Sequence, residues 1–287
     1  ARHGGEKEID VSSTQVPPSP PAADDPLPST ALARLGPAPG LRFAGHLTSF
    51  DFSPDGERLI TTTGVSSMVS SNSKAWLWDV KTDRPIQTFE EDLLPRYYYP
   101  IMSAVAFHPD GQTVLTCQSH YDAKGTSHTL MSLWDAASGK KRMSFQPLQA
   151  RILFAQFSRD GNTLVTASEL EGPRGERSVR LWDVEKGRMK LVLPAPGRPG
   201  KENITFSPDG HTLFLGSEDS DKGNPSARLV DVATGNLIRK FEGHFACVAF
   251  SPDEKKLLAG SWDGTARLWD RDSGQELKIF KHVEHVF

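Results

Sequence analysis

The chain has 287 residues, a formal net charge of −3 and 37% hydrophobic residues, values that fit a globular protein long enough to bury a substantial core. The near-neutral balance provides no broad basic field for nucleic acid or anionic lipid, and no apolar run approaches the roughly 18 residues that a membrane span needs. The two cysteines, Cys117 and Cys247, are too few and too far apart for a disulfide framework or a zinc site. We expect them to be small buried apolar residues.

Residues 1–30 are rich in Pro, Ser, Ala and acidic side chains, with a Pro-rich run at residues 16–21. Such a composition buries too little apolar surface to order itself, so it predicts a disordered linker ahead of a domain over residues 31–287. A ligand for SH3-type domains is the less common alternative. No secretory signal is visible. The compartment stays open, with the cytoplasm favoured over an extracytoplasmic location, which would require an upstream signal or membrane segment.

One phrase, Phe followed by a Ser-Pro-Asp-Gly-like turn, recurs five times along the rest of the chain. Its copies are Phe52-Ser53-Pro54-Asp55-Gly56, Phe107-His108-Pro109-Asp110-Gly111, Phe157-Ser158-Arg159-Asp160-Gly161, Phe206-Ser207-Pro208-Asp209-Gly210 and Phe250-Ser251-Pro252-Asp253-Glu254. Each is followed by a second phrase that ends at Trp78-Asp79, Trp134-Asp135, Trp182-Asp183, Val230-Asp231 or Trp269-Asp270. The period runs from 39 to 56 residues, which brackets the length of a propeller blade.

The first phrase predicts a three-residue hairpin loop, a type I turn that closes on a residue with left-handed backbone. Glycine fills that last position in four copies, whereas Glu254 fills it in the fifth. A non-glycine residue there costs roughly 1–2 kcal/mol, so we expect a strained turn at Glu254. With the second phrase and the turn after it, each repeat makes four antiparallel strands that must stack on their neighbours.

These paired phrases resemble the repeats of the WD40 family from about residue 41 to the end. The resemblance implies an all-β propeller with five complete four-stranded blades and the start of a sixth. The repeats fall at about residues 41–88, 97–144, 151–193, 202–241 and 242–280, with a partial one at 281–287. Residues 25–43 also resemble the lead-in of bacterial WD40 proteins, whose propellers are often joined to kinase, sigma-factor or membrane segments.

In that family a buried hydrogen-bond network joins the His of a Gly-His pair, a Ser or Thr on the second strand, an Asp in the following turn and the Trp of Trp-Asp. The resemblance gives these roles in the last full repeat to His244, Ser261, Asp263 and Trp269. The earlier repeats keep parts of the set, namely His46, Thr63, Trp78, Trp134, Ser168 and Trp182.

Extended segments at residues 64–74, 119–127, 169–177 and 218–226 join the second and third strands of their blades. The resemblance places them on one face, where partners commonly dock, together with the loop at residues 90–99. All four tyrosines of the chain fall in this loop set, beside Arg96. Because Tyr and Arg are enriched at binding hot spots, we predict a protein-binding patch at Arg96, Tyr97, Tyr98, Tyr99 and Tyr121. The alternative is that residues 97–99 begin a strand and a ring caps the blade edge.

We predict no catalytic activity, no metal and no cofactor. The residues before the repeat phenylalanines, which would line a channel, are Asp51, Ala106, Gln156, Thr205 and Ala249, and one carboxylate is not an acid/base or metal set. His120, Tyr121, Asp122 and His128 could form a weak metal site, but a solvated polar loop is the preferred interpretation. A propeller-type hydrolase or metal-dependent enzyme is the alternative function, and nucleic-acid binding lacks a basic stripe with interleaved aromatics.

The strand count predicts an incomplete ring. Residues 41–43 have the pattern of an outer strand of a preceding blade, although the fifth repeat has its own outer strand at residues 277–280. We therefore predict a fragment of a six- or seven-bladed ring, with a closed five-bladed ring as the alternative. A fragment exposes unpaired edges, which favours self-association. The predicted function is a non-catalytic scaffold for unknown protein partners, within a larger bacterial regulatory protein.

Overall fold

The computed structural model describes residues 46–64, 73–91, 98–169, 177–194, 204–216, 226–243, 245–261 and 263–281. All of these belong to one unit that spans residues 43–287. The linker predicted over residues 1–30 lies outside the described residues, as do His244 and residues 282–287. Within the described ranges the regular secondary structure consists of β-strands alone.

The strands form five four-stranded antiparallel sheets, here called blades one to five in chain order. Blades one and two contain β1 (His46–Phe52), β2 (Arg58–Gly64), β3 (Ala75–Asp79), β4 (Arg84–Phe89), β5 (Tyr98–Phe107), β6 (Thr113–Tyr121), β7 (Ser127–Asp135) and β8 (Lys141–Ser144). Blades three to five contain β9 (Arg151–Phe157), β10 (Thr163–Glu169), β11 (Arg177–Asp183), β12 (Arg188–Pro194), β13 (Ile204–Phe206), β14 (Thr212–Leu215), β15 (Ser226–Asp231), β16 (Leu237–Glu242), β17 (Phe245–Phe250), β18 (Lys256–Ser261), β19 (Thr265–Asp270) and β20 (Glu276–Lys281).

Every blade has the same meander topology, in which each strand pairs with the next one along the chain. The register repeats as well. The repeat Phe of the first strand lies opposite an apolar residue of the second, and that residue lies opposite the Trp or Val of the second phrase, as in Phe52, Leu59 and Trp78. The five-blade all-β architecture predicted from the repeats is therefore confirmed.

The turn between the first two strands of each blade has the predicted backbone. In blade one the Gly56 amide donates to the Ser53 carbonyl at 2.8 Å, and Gly56 has a φ of 73°. In blade five Glu254 adopts a φ of 63°, which confirms the left-handed residue expected there. Its carboxylate lies 3.2 Å from the Arg271 guanidinium, so a charge pair partly offsets the backbone strain.

The core lies between consecutive blades. Because side chains alternate along a strand, each sheet contributes one face to the contact with the preceding blade and the other to the contact with the following one. Four apolar clusters fill the four contacts between consecutive blades. They lie between blades one and two, two and three, three and four, and four and five. Between blades one and two, for example, Ile60, Leu77 and Phe89 pack against Val114 and Trp134.

Side chains of β1 also bond the free backbone edge of β5. Thr48 Oγ1 donates to the Met102 carbonyl at 2.9 Å, while Ser49 Oγ and Asp51 Oδ2 accept from the amides of Val105 and Phe107 at 3.2 and 2.8 Å. Innermost strands have no further strand to pair with, so these bonds satisfy backbone groups that burial would otherwise penalise.

Candidate functional site

The indole nitrogens of the repeat tryptophans donate to threonines on the second strand. Trp78 Nε1 donates to Thr61 at 2.8 Å, and Trp134 Nε1 donates to Thr116 at 2.8 Å. Trp182 Nε1 donates to Thr166 at 2.9 Å. In blades one and three the acceptor precedes by two residues the position that the sequence predicted for the network, Thr63 or Ser168. These threonines are identified as acceptors only from the strand register, because each lies diagonally opposite its Trp on the same face of the sheet.

Blades four and five depart from this pair in different ways. In blade four the positions are filled by Val230 and Leu215, so both the donor and the acceptor are replaced by apolar side chains. In blade five Trp269 remains while the acceptor position is Ala259. Trp269 packs between Phe241 and Phe245, with ring centroids 5.6 Å away in each case. Aromatic packing thus replaces the hydrogen bond in the last blade.

Ser261 and Asp263 lie at one end of β18 and in the turn that follows. The Asp263 amide donates to Ser261 Oγ at 3.3 Å, and Arg267 lies 2.9 Å from the Asp263 carboxylate. His244 lies outside the described residues, and for His46 and Thr63 only the strand backbone is described. The four-residue network implied by the family resemblance therefore stays a prediction.

Ser168 has a different partner from the expected one. It is fully buried, and its hydroxyl contacts the Arg180 guanidinium and lies 3.4 Å from the Ser178 hydroxyl. Burial of the Arg180 guanidinium lowers its pKa, because desolvation disfavours the charged form. Ser168 therefore supports a half-buried cation in blade three.

The segment expected to be a solvated polar loop at residues 119–127 is instead a β-hairpin. β6 continues to Tyr121 and β7 begins at Ser127, with a tight turn between them that closes on Gly125. His120 and His128 face each other across the two strands with ring centroids 5.9 Å apart, and His120 is completely buried. The loop interpretation was wrong because polar residues on a well-packed strand pair carry no apolar alternation that would reveal it.

Two side chains of this hairpin have shifted pKa values. Burial, followed by the proximity of His128, lowers the pKa of His120 to about 4. The pKa of Asp122 falls to about 2, first because its carboxylate accepts the Thr126 amide and next because it pairs with His128, whose Nε2 lies 3.2 Å away. The hairpin thus keeps His120 neutral and Asp122 ionised near neutral pH.

The predicted tyrosine patch is only partly inside the described residues. Arg96 and Tyr97 lie outside them, while Tyr98 and Tyr99 belong to β5, where only the backbone is described. Tyr98 is the register partner of Tyr121 at the end of β6. The structure therefore brings two of the predicted positions together, on strands rather than in a loop, as the alternative interpretation expected for residues 98 and 99.

Two of the five residues predicted to line a channel border a cavity of about 340 Å³ among β1, β5 and β9. Asp51 and Gln156 line it, with Phe50, Val105 and Leu153 among the apolar residues. The Asp51 carboxylate accepts the Phe107 amide. The single carboxylate of this set therefore stabilises the contact between blades one and two.

Within the ranges that the structure describes, no group of three or more His, Cys, Asp or Glu side chains is arranged to hold a metal ion. In the same ranges, no helix is both long and apolar enough to cross a bilayer.

Sequence reasoning missed a group of arginines beside the connections between second and third strands. Arg151, Arg177 and Arg228 lie near these strand ends in blades three and four, with Glu169 as the neighbouring carboxylate. Arg177 lies 2.8 Å from Glu169. The signal was present in the sequence as arginine at strand ends, but only the register shows which of these side chains share a contact between blades.

Comparisons with known proteins agree with this architecture. The WD40 family model, described as "WD domain, G-beta repeat", matches residues 38–79 and 235–270. The "Guanine nucleotide-binding protein subunit beta" of Oryza sativa subsp. japonica is 26% identical over 235 residues, which cover 78% of this chain and 56% of the rice protein. The protein of the same name from Zea mays is 25% identical over 235 residues, with the same two shares of 78% and 56%.

A relative with a different name is "Pre-mRNA-processing factor 19 homolog 2" of Arabidopsis thaliana. It is 28% identical over 183 residues, which cover 62% of this chain and 31% of that protein. The chain thus spans about half the length of the guanine nucleotide-binding subunits that it matches, at 56%. Repeat spacing, blade topology, the two family-model matches and these relatives agree with one another: the chain is similar to WD40-repeat proteins, and its five four-stranded sheets have the architecture of β-propeller blades.

Proposed function

We propose that this chain is a non-catalytic scaffold, part of a larger regulatory protein, that binds protein partners on its loop face. The loop face is the side on which the second and third strands of each blade are joined. The β6–β7 hairpin carries this proposal. Its strands have nine residues each against seven in β10 and β11, so it extends blade two on that side, with Tyr121 near its tip. Binding residues commonly lie on such projections from a rigid scaffold.

The relatives support the same role. One group is named as a subunit of a guanine nucleotide-binding protein and another as a pre-mRNA-processing factor. The first name describes a component of a multi-chain protein, which fits an assembly role for a chain of the same repeat type. The relatives reported above are plant proteins, and the bacterial origin indicated by residues 25–43 stays a prediction.

The use of polar side chains in blades one and two also supports a non-catalytic role. Asp51 bonds a backbone amide between blades, and Asp122 bonds the turn that it begins and pairs with His128. These carboxylates hold strands and turns in place. A hydrolase would instead need such groups to converge on a substrate.

Partner capture with matched variants tests the proposal. We expect the triple variant Arg96→Ala, Tyr98→Ala, Tyr121→Ala to recover less of at least one partner from a lysate of the native cells, because it removes the predicted contact residues. The control is Leu237→Ala, an exposed apolar residue on the outer strand of blade four. Unchanged recovery of every partner by the triple variant would contradict the proposed patch.

We also propose that the chain self-associates through its exposed apolar surfaces. Phe280 on β20 is 38% exposed and Leu258 on β18 is 40% exposed. Leu258 has equivalents in blades one, two and four that are fully buried against the following blade, namely Ile60, Leu115 and Phe214. Exposed surface of a kind that is buried elsewhere in the chain favours association.

A further inference from the structure

On the loop face, the described residues that border the contact between blades three and four carry more positive than negative side chains. Val230 of β15 packs against Val165 and Leu181 of blade three. Because side chains two residues apart share a strand face, Arg228 faces blade three, and Glu169 and Arg177 face blade four. Arg151 is the register partner of Glu169 on β9. In the part of the chain that the structure describes, three guanidinium groups and one carboxylate therefore border this contact.

Only one of the three guanidinium groups is paired with that carboxylate. Arg177 Nη2 lies 2.8 Å from Glu169 Oε1. Among the residues that the structure describes, no carboxylate lies within ion-pair distance of Arg151 or Arg228. The Nε atoms of both are buried without a hydrogen-bond partner. A buried guanidinium N–H without a hydrogen-bond acceptor is costly, and an incoming anion would remove that cost.

The same strand position in blade five shows what such an arginine binds when an acid is available. Arg267 is equivalent to Arg228 and lies 2.9 Å from Asp263 and 3.5 Å from Glu276. Blade five thus supplies its own carboxylates, whereas none within the described ranges reaches Arg228. The Arg228 position is therefore one from which a guanidinium can engage acidic side chains.

We infer that Arg151 and Arg228, next to the Arg177–Glu169 pair, form a binding site for acidic side chains of a protein partner. The inference rests on the proposed function, for which it specifies the chemistry of one contact. Arginine presents a planar fork of donors that matches a carboxylate in a two-point contact. The overall charge of the chain is −3, so attraction of an acidic segment must come from this local group rather than from a general basic field.

A defined acidic peptide tests the site directly. The probe is fluorescein-labelled Gly-Ser-Asp-Glu-Asp-Ser-Gly amide, compared by anisotropy at low and moderate salt with its Gly-Ser-Asn-Gln-Asn-Ser-Gly counterpart. We expect saturable binding of the acidic peptide that weakens as the salt concentration rises. The neutral peptide is expected to bind at least about tenfold more weakly than the acidic one. Equal binding of both peptides, or no saturable binding of the acidic one up to millimolar concentration, would overturn the inference.

Matched variants locate the binding on the chain. The double variant Arg151→Gln, Arg228→Gln keeps the polar side chains and much of their length, and we expect it to weaken binding of the acidic peptide about tenfold. The control is Arg188→Gln, an exposed arginine at the opposite end of blade three, for which we expect a change of less than about twofold. Similar losses in the double variant and the control would show non-specific attraction and overturn the site. Circular dichroism and thermal melting verify that both variants are folded.

Partner capture with the same double variant separates this inference from the proposed function. If partners are recovered equally with and without the two arginines, the arginine site is wrong while the scaffold function stands. If the unsubstituted chain recovers no partner but binds the acidic peptide through these arginines, the arginine site stands and the scaffold function loses its support.

Discussion

Thr116 accepts the indole hydrogen bond of Trp134 in a fully buried position between blades one and two. Substitution with Val keeps the shape of the side chain but leaves the indole N–H without its acceptor. We expect Thr116→Val to lower the free energy of unfolding by about 1–3 kcal/mol. The measurement is the urea midpoint at constant slope.

The matched control for this substitution is Thr88→Val on β4, where the threonine is exposed. We expect that change to stay within about 0.5 kcal/mol. Equal midpoints for Thr116→Val and the unsubstituted chain would show that the indole bond adds nothing to stability.

His120 gives the chain a dependence of stability on pH. Its pKa is about 4 in the folded chain because of burial and the nearby His128, against an ordinary value of 6.5. The unfolded chain therefore binds more protons between these values. The stability due to neutral His120 is fully present above pH 6.5 and is lost as the pH falls toward 4, with a slope of at most about 1.4 kcal/mol per pH unit.

Chemical denaturation between pH 7.5 and 4.5 measures this slope, with His120→Gln as the comparison. The Gln variant is expected to be less stable at neutral pH but to lose less stability on acidification, because position 120 no longer takes up a proton. Identical slopes for the two chains would show that His120 does not titrate in this range.

At the scale of the elements, the fourth strands of blades one, three and four each supply a large apolar residue to the contact with the following blade. Phe241 on β16 packs on Trp269 of blade five, with ring centroids 5.6 Å apart. Phe280 occupies the equivalent place on β20 and is 38% exposed. We expect Phe241→Ala to cost about 3–5 kcal/mol and Phe280→Ala less than about 1 kcal/mol, because only the first creates a buried cavity.

Thermal or urea unfolding of the two alanine variants measures the difference. Since the substitution and the strand position are the same, intrinsic β-propensity largely cancels between them. Similar losses of unfolding free energy in both variants would mean that Phe280 is buried in solution. They would contradict the inference that this face of blade five is exposed.

The repeat turns and the strands that flank them were predictable because their signals are local. A Ser-Pro-Asp-Gly phrase sets its own backbone, and even the left-handed Glu254 follows from its place in the phrase. The indole acceptors could not be read in the same way. Thr61, Thr116 and Thr166 become partners of tryptophans only through the register of two strands, and a shift of one residue would turn each hydroxyl to the opposite face.

The candidate site was less predictable than the fold for the same reason. Tyr98 and Tyr121 were singled out by composition, and the structure shows that their backbone positions pair. The arginines at positions 151 and 228 are visible in the sequence only as arginines at strand ends, because their shared location depends on which faces of blades three and four meet. Contacts between blades join residues far apart in sequence, and neither spacing nor propensity encodes them directly.

For the whole molecule, the exposed surfaces of blades one and five predict concentration-dependent association. Leu47, Phe50 and Phe52 on β1 are 58%, 42% and 43% exposed. Together with Phe280 and Leu258 they present apolar area of a kind that the inner contacts bury. We expect light scattering after size-exclusion chromatography to show dimers or larger species as the concentration rises.

The substitution Phe280→Lys is expected to shift that distribution toward monomer, because it places a charge in the exposed apolar face. Leu237→Lys on β16 is the control, since Leu237 is 50% exposed but lies on the outer strand of an inner blade. A stable monomer of the unsubstituted chain at all concentrations would argue against self-association and for a closed ring.

The placement of the tryptophans has a consequence for how unfolding can be observed. Trp134, Trp182 and Trp269 each lie in a different contact between blades, and all three are buried. Indole emission shifts to longer wavelength when water reaches the ring, so chains that retain a single one of these tryptophans would report the opening of one contact at a time. The contact between blades three and four, where Val230 replaces the indole, would give no indole signal in such an experiment. Arg151 and Arg228 border the same contact, so tightening of this contact on ligand binding would have to be followed through hydrogen exchange of β10 and β15 rather than through indole fluorescence.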